Sequence, residues 1–92
     1  MNHKMLASLD GASRRLIASN IRRLRTAVGL SQEALAVDAG VDRWYMSRLE
    51  RGTVSLGVDV LERVAEALGC KLGELFREPA DSEDEPMPLR GG

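Results

Sequence analysis

Residues 40–52 read GVDRWYMSRLERG, and the two sides of this stretch differ in chemistry. Asp42 is a good helix N-cap two residues after Gly40, and Gly52 is a good stop, so the pattern predicts a helix over residues 43–51. Val41, Met46 and Leu49 fall where a short helix packs on its neighbours. Trp44, Ser47, Arg48 and Arg51 follow i, i+3, i+4, i+7 and share the opposite side, with Arg43 flanking them. Such a face carries donors suited to guanine O6 and N7 or to phosphate, and a flat apolar ring suited to a thymine methyl or a sugar. Taken alone, Arg43, Arg48 and Arg51 could equally be solvating an ordinary surface.

The surrounding sequence shifts that balance. Upstream, Ser31 is a second N-cap, Gln32 and Glu33 occupy the first turn, and Leu35, Ala36 and Ala39 form a short apolar stripe that ends at Gly40. Two short helices therefore flank a glycine turn, an arrangement in which one helix can brace across a nucleic-acid backbone while the next enters a groove. Before them, Ile17, Ile21, Leu24 and Val28 recur at helical spacing from Ser13 to a stop at Gly29. After them, a helix from Val58 to Leu68 turns Leu61, Val64, Ala65 and Leu68 inward and Asp59, Glu62 and Glu66 outward. A last turn or two adds Leu72, Leu75 and Phe76.

The expected organisation is an all-α, compact five-helix domain over residues 13–77, preceded by a flexible arm over residues 1–12. An acidic, proline-containing disordered tail follows over residues 78–92. About 65 foldable residues suffice for one small core. The formal net charge is −1, but it is unevenly spread. The last fifteen residues hold five acids and only Arg90, so residues 1–77 carry twelve basic against nine acidic side chains. The body is thus net basic, and the whole-chain balance does not weigh against a polyanionic partner.

The segments SQEALAVDAGVDRWYMSRLERG (31–52), IRRLRTAVGLSQEALA (21–36) and VLERVAEALGCKLGELF (60–76) together resemble the phage-repressor/Cro family of helix-turn-helix domains. Within it, DRWYMSRLERG is most similar to the small controller proteins of restriction–modification operons. The resemblance implies sequence-specific binding of a double-stranded DNA operator by a cytoplasmic, homodimeric transcriptional regulator. It places Gln32 where the family has a phosphate-binding glutamine, beside Ser31 at the same helix start. Arg43, Trp44 and Ser47 match base-facing positions, and Arg48 can reach bases or backbone. Tyr45 matches an aromatic position common in the controller proteins, partly packed and partly able to touch DNA, with simple packing as the alternative. Arg25 and Glu50 match a structural ion pair joining the first helix to the end of the third. The loop after Gly52 departs from the family pattern: it reads Thr53, Val54, Ser55, Leu56 without the usual basic or amide residue and proline, so a customary phosphate contact is expected to be lost, with Thr53 and Ser55 as partial substitutes beside Arg51.

One groove-reading helix covers about 4 to 6 base pairs, too few to specify a genomic site, so a dimer on two half-sites is expected. Leu72, Leu75 and Phe76, with part of the fourth helix, are the candidate dimer surface, the alternative being that they cap the monomer core. His3 and Cys70 are single and distant, so no metal site is expected, and a lone cysteine excludes an intramolecular disulfide. No nucleophile–base set, cofactor motif, small-molecule ligand site or membrane span is expected either. A second function class remains open: an antitoxin or protein-interaction module working through the acidic tail and the C-terminal apolar cluster.

Overall fold

The computed structural model describes residues 2–78. Four α-helices follow one another, α1 (Asn2–Ala27), α2 (Gln32–Ala39), α3 (Arg43–Arg51) and α4 (Val58–Leu68), and a 3-10 helix (Leu72–Phe76) closes the domain. Among the described residues there is no strand, as expected.

Helices as short as α2 and α3 are marginal in isolation, so their caps and buried faces must hold them. The Ser31 hydroxyl accepts from the Ala34 N–H at 2.9 Å. The Asp42 carboxylate accepts from the N–H groups of Trp44 and Tyr45, at 2.9 and 3.2 Å. At their C-termini Gly40 and Gly52 adopt φ of 70° and 72°, left-handed values that cost a glycine little. A Cβ at Gly52 would make only ordinary van der Waals contact, 3.5 Å from the Arg14 carbonyl oxygen and the Arg15 Cα where α1 crosses the turn, so it is the left-handed backbone that calls for glycine there.

The core gathers one face of every element. Ile17 and Ile21 come from α1, Leu35, Ala36 and Ala39 from α2, Met46 and Leu49 from α3, Leu61, Val64, Ala65 and Leu68 from α4, and Leu75 from the 3-10 helix. α2 packs mainly on α4 and α3, while α1 packs on α3 and the 3-10 helix. α3 is therefore clamped from behind, and its other side is left outward.

Three expectations are corrected. The first twelve residues, read as an arm, are helical from Asn2, so α1 begins well before Ser13. Met5, Leu6, Ala7 and Leu9 are good helix formers and no proline interrupts them, which lets the helix run back through Gly11. Val28, read as inward, is 52% exposed. It lies beyond the end of α1, where the helical period no longer aims it at the core, and Leu30 packs there instead. The fifth helix is a single 3-10 segment containing Gly73, too short to settle into α-geometry. Residues 79–92, which make up nearly all of the expected acidic tail, lie outside the described residues.

Candidate nucleic-acid interface

The outward side of α3 is fixed by what its inward side does. Met46 and Leu49 have no exposure at all and Glu50 is buried with them, so the helix cannot roll without unpacking the core. Arg43, Trp44 and Arg51 are consequently exposed, and Ser47 and Arg48 are half-buried on the same side. Trp44 keeps 64% of its surface exposed, high for the largest apolar ring in the chain. The Arg48 guanidinium lies over that ring, 5.0 Å from its centroid, a cation–π contact that orders both side chains. One turn on, Arg51 Nη2 donates to the Ser47 hydroxyl at 3.3 Å.

Behind this face stands an ion pair. Arg25 Nε and Nη2 donate to the two oxygens of Glu50 at 2.7 and 3.0 Å, and Arg25 Nη1 donates to the Leu30 carbonyl at 3.0 Å. The Glu50 side chain is 3% exposed and that of Arg25 17%. Hydrogen bonding to Glu50, helped by its charge and opposed by burial, holds the Arg25 guanidinium above its ordinary pKa. Arg22 Nη1 adds a bond to the Glu50 backbone carbonyl at 2.6 Å, binding a free carbonyl near the end of α3 to α1.

Gln32, the first residue of α2, is half-buried between this pair and the exposed face. Its Nε2 donates to Glu50 Oε1 at 3.1 Å, and its Oε1 accepts from Arg43 Nε at 3.3 Å. Arg43 Nη1 is 3.9 Å from a Glu33 carboxylate oxygen, but both side chains are largely exposed and such a pair contributes little. The start of α2 and the start of α3 thus meet at a hydrogen bond.

The remaining expected site residues divide. Ser31 is exposed but its hydroxyl oxygen caps α2. Tyr45 is half-buried and its hydroxyl donates to the Ser55 carbonyl at 3.0 Å, so it fastens the loop that follows α3. The Thr53 hydroxyl donates to the Arg48 carbonyl at 3.3 Å, closing the end of α3, and its side chain is exposed there. Of the expected dimer surface, Leu75 is corrected. It has no exposure and belongs to the monomer core, because the 3-10 turn rolls it under α1 and leaves Phe76, 46% exposed, on the outside. Leu72 is half-buried. Phe76 borders a groove of about 350 Å³ with Val58, Leu56, Leu61, Ile17 and Arg14.

The sequence reading missed Asn20, which is 1% exposed on the apolar face of α1. Its Nδ2 donates to the carbonyls of Leu75 and Arg77 at 2.8 and 2.9 Å, and its Oδ1 accepts from Arg23 at 3.0 Å. The signal was present: Asn20 sits between Ile17 and Ile21 at inward spacing, and a polar group there needs partners. Arg63, whose Nε donates to the Ala39 carbonyl at 2.9 Å and so satisfies the end of α2, gave no comparable signal. Among the described residues no cluster of His, Cys, Asp and Glu could hold a metal ion, and no helix is long and apolar enough to cross a membrane.

Residues 21–75 match the helix-turn-helix family model. A hypothetical transcription factor from Neisseria meningitidis is 37% identical over 68 residues, which are 74% of this chain and 64% of that protein, so the chain spans somewhat less than two thirds of its length. The control protein C.BamHI from Bacillus amyloliquefaciens is 35% identical over 64 residues, covering 68% of this chain and 79% of that one. Among solved structures, the restriction–modification controller protein C.AhdI from Aeromonas hydrophila superimposes with a TM-score of 0.68 at 40% identity, covering 71% of this chain and 98% of that chain.

Proposed function

Since the chain belongs to the helix-turn-helix family, we propose that it is a DNA-binding transcriptional regulator that recognises a specific operator through α3. The observation that carries this is the two-sided character of that helix: Met46 and Leu49 are wholly buried while Arg43 and Trp44 stand exposed beside the start of α2. A helix held by its back and armed on its front is what entry into a major groove demands.

In this reading Arg43 reads a guanine edge, Trp44 and Ser47 contact neighbouring base edges or methyl groups, and Arg48, steadied by Trp44, reaches a base or the backbone. Arg51, Thr53 and the start of α2 at Ser31 and Gln32 face phosphates, where the partial positive charge of a helix N-terminus assists. Tyr45 supports the loop rather than the DNA. The protein works as a homodimer on two half-sites, with Phe76, Val58 and Leu72 on the pairing surface. Its occupancy of the operator is the regulatory event, and the likeness to control proteins supports an autoregulatory role in which protein concentration is the signal. It acts in the cytoplasm without an enzymatic step, a cofactor or a small-molecule ligand.

A salt titration tests the reading. Full-length chain on a duplex selected from random DNA should lose many-fold affinity between 50 and 200 mM salt, because each neutralised phosphate releases counterions. Affinity that barely changes over that range would point instead to a protein-interaction module acting through apolar contacts.

A further inference from the structure

We propose that Glu50 and Gln32 are positioning residues for Arg43, forming a relay that carries the order of the core out to the DNA-reading tip of α3; this rests on the base-reading role of Arg43 given above. The chain of contacts is continuous. Arg25 locks the Glu50 carboxylate with two hydrogen bonds, Glu50 Oε1 takes the Gln32 amide N–H at 3.1 Å, and Gln32 Oε1 takes Arg43 Nε at 3.3 Å.

Chemistry fixes the direction of every link. An ionised carboxylate only accepts, so the amide nitrogen of Gln32 must face Glu50. The amide oxygen then has to face the other way, towards Arg43, and the guanidinium, which only donates, presents its Nε. No other orientation of Gln32 satisfies both neighbours. Glu50 is the anchor because its carboxylate is 3% exposed and cannot swing, whereas the Arg43 side chain is 59% exposed and would otherwise sample many rotamers. Held by Nε, and with Nη1 only loosely paired to the exposed Glu33 carboxylate at 3.9 Å, Arg43 can turn its two terminal nitrogens to an end-on pair of bonds, the donor spacing that fits O6 and N7 of guanine. Ordering the side chain before binding removes part of the entropy cost at the step where specificity is decided.

This differs from a plain phosphate contact by Gln32, which would add affinity for every duplex alike. Gln32→Met keeps the length of the side chain and removes both amide groups. Together with Arg43→Ala and the double variant it forms a cycle, read as the ratio of affinity for the wild type's selected duplex to affinity for random duplex at one salt concentration. Gln32→Met should lower that ratio roughly tenfold, and should have no further effect once Arg43 is alanine. Nitrogen relaxation of the Arg43 Nε–H in the DNA-free protein gives a second readout: restrained in the wild type, freely moving in Gln32→Met. Equal losses on both duplexes, additive effects in the cycle, or an Arg43 Nε already mobile in the wild type would each overturn the relay. If Arg43→Ala itself leaves the ratio unchanged, the base-reading role fails and the relay with it. If Arg43→Ala lowers the ratio but the cycle is additive, the relay alone fails.

Discussion

Arg25 and Glu50 face each other as a parallel pair of hydrogen bonds, 2.7 Å from Nε and 3.0 Å from Nη2, and through them α1 holds the end of α3. The position matters more than the pairing. Glu50 shares its helix with Trp44, Ser47, Arg48 and Arg51, so a lock on its carboxylate sets the rotation of the helix that presents them. A planar guanidinium suits this work, since its fork meets both carboxylate oxygens at once.

Breaking this pair should be costly and lopsided. Arg25→Ala strands a carboxylate that is only 3% exposed, and urea unfolding should register a loss of about 3–5 kcal/mol, much of what so small a domain possesses. Glu50→Ala should cost less, because Arg25 keeps the Leu30 carbonyl and some access to water. Equal costs for the two variants would mean that the pair is not buried as described.

Asn20→Ala should destabilise by about 1–3 kcal/mol, since the Leu75 carbonyl loses its donor in a place where water has little access and the Arg77 carbonyl, at the exposed end of the turn, loses one as well. For a domain of this size each 1 kcal/mol lowers the melting temperature by about 4–8 °C. Asn20→Asp should be no better, because a carboxylate cannot donate to either carbonyl. A melting temperature unchanged by Asn20→Ala would show that the C-terminal turn does not depend on this latch.

Much of this was legible in the sequence, for identifiable reasons. The caps Ser31 and Asp42 and the glycines 40 and 52 bound α2 and α3 because local hydrogen bonding and backbone sterics act within a few residues. The outward stripe from Trp44 to Arg51 followed from helical period alone. What escaped depends on contacts between distant segments. Asn20 meets Leu75 across 55 residues. Gln32 could be placed at a helix start, but its two partners lie on α3. Leu75 and Phe76 are adjacent apolar residues, and only the 3-10 turn decides which one goes inside.

That decision separates two neighbouring variants. Leu75→Ala should cost about 2–5 kcal/mol of folding stability, as truncation of a fully buried leucine does. Phe76→Glu should leave the melting temperature of the monomer nearly unchanged and weaken self-association in sedimentation equilibrium. An unaltered dimer in Phe76→Glu would move the pairing surface elsewhere.

Burial, and secondarily the negative charge of Glu74, push the Cys70 thiol above its ordinary pKa. The thiol should therefore react with iodoacetamide more slowly at pH 8 than a free cysteine does, and the rate should climb only as pH passes the usual thiol range. The linked effect on stability has a definite sign. Above the unfolded thiol's pKa the folded state still holds the proton that the unfolded chain has released, so stability falls as pH rises. Alkylation as fast as that of a free thiol would contradict the described burial.

In the proposed function α3 reads DNA with the side that carries Arg43, and the affinity of Arg43→Ala for the wild type's selected duplex and for random duplex under the same salt tests this. The expected result is a loss of about 1–3 kcal/mol on the selected duplex, little change on the random one, and relaxed preference at a single operator position. Equal losses on both duplexes would show that Arg43 supplies only charge, and that recognition lies elsewhere.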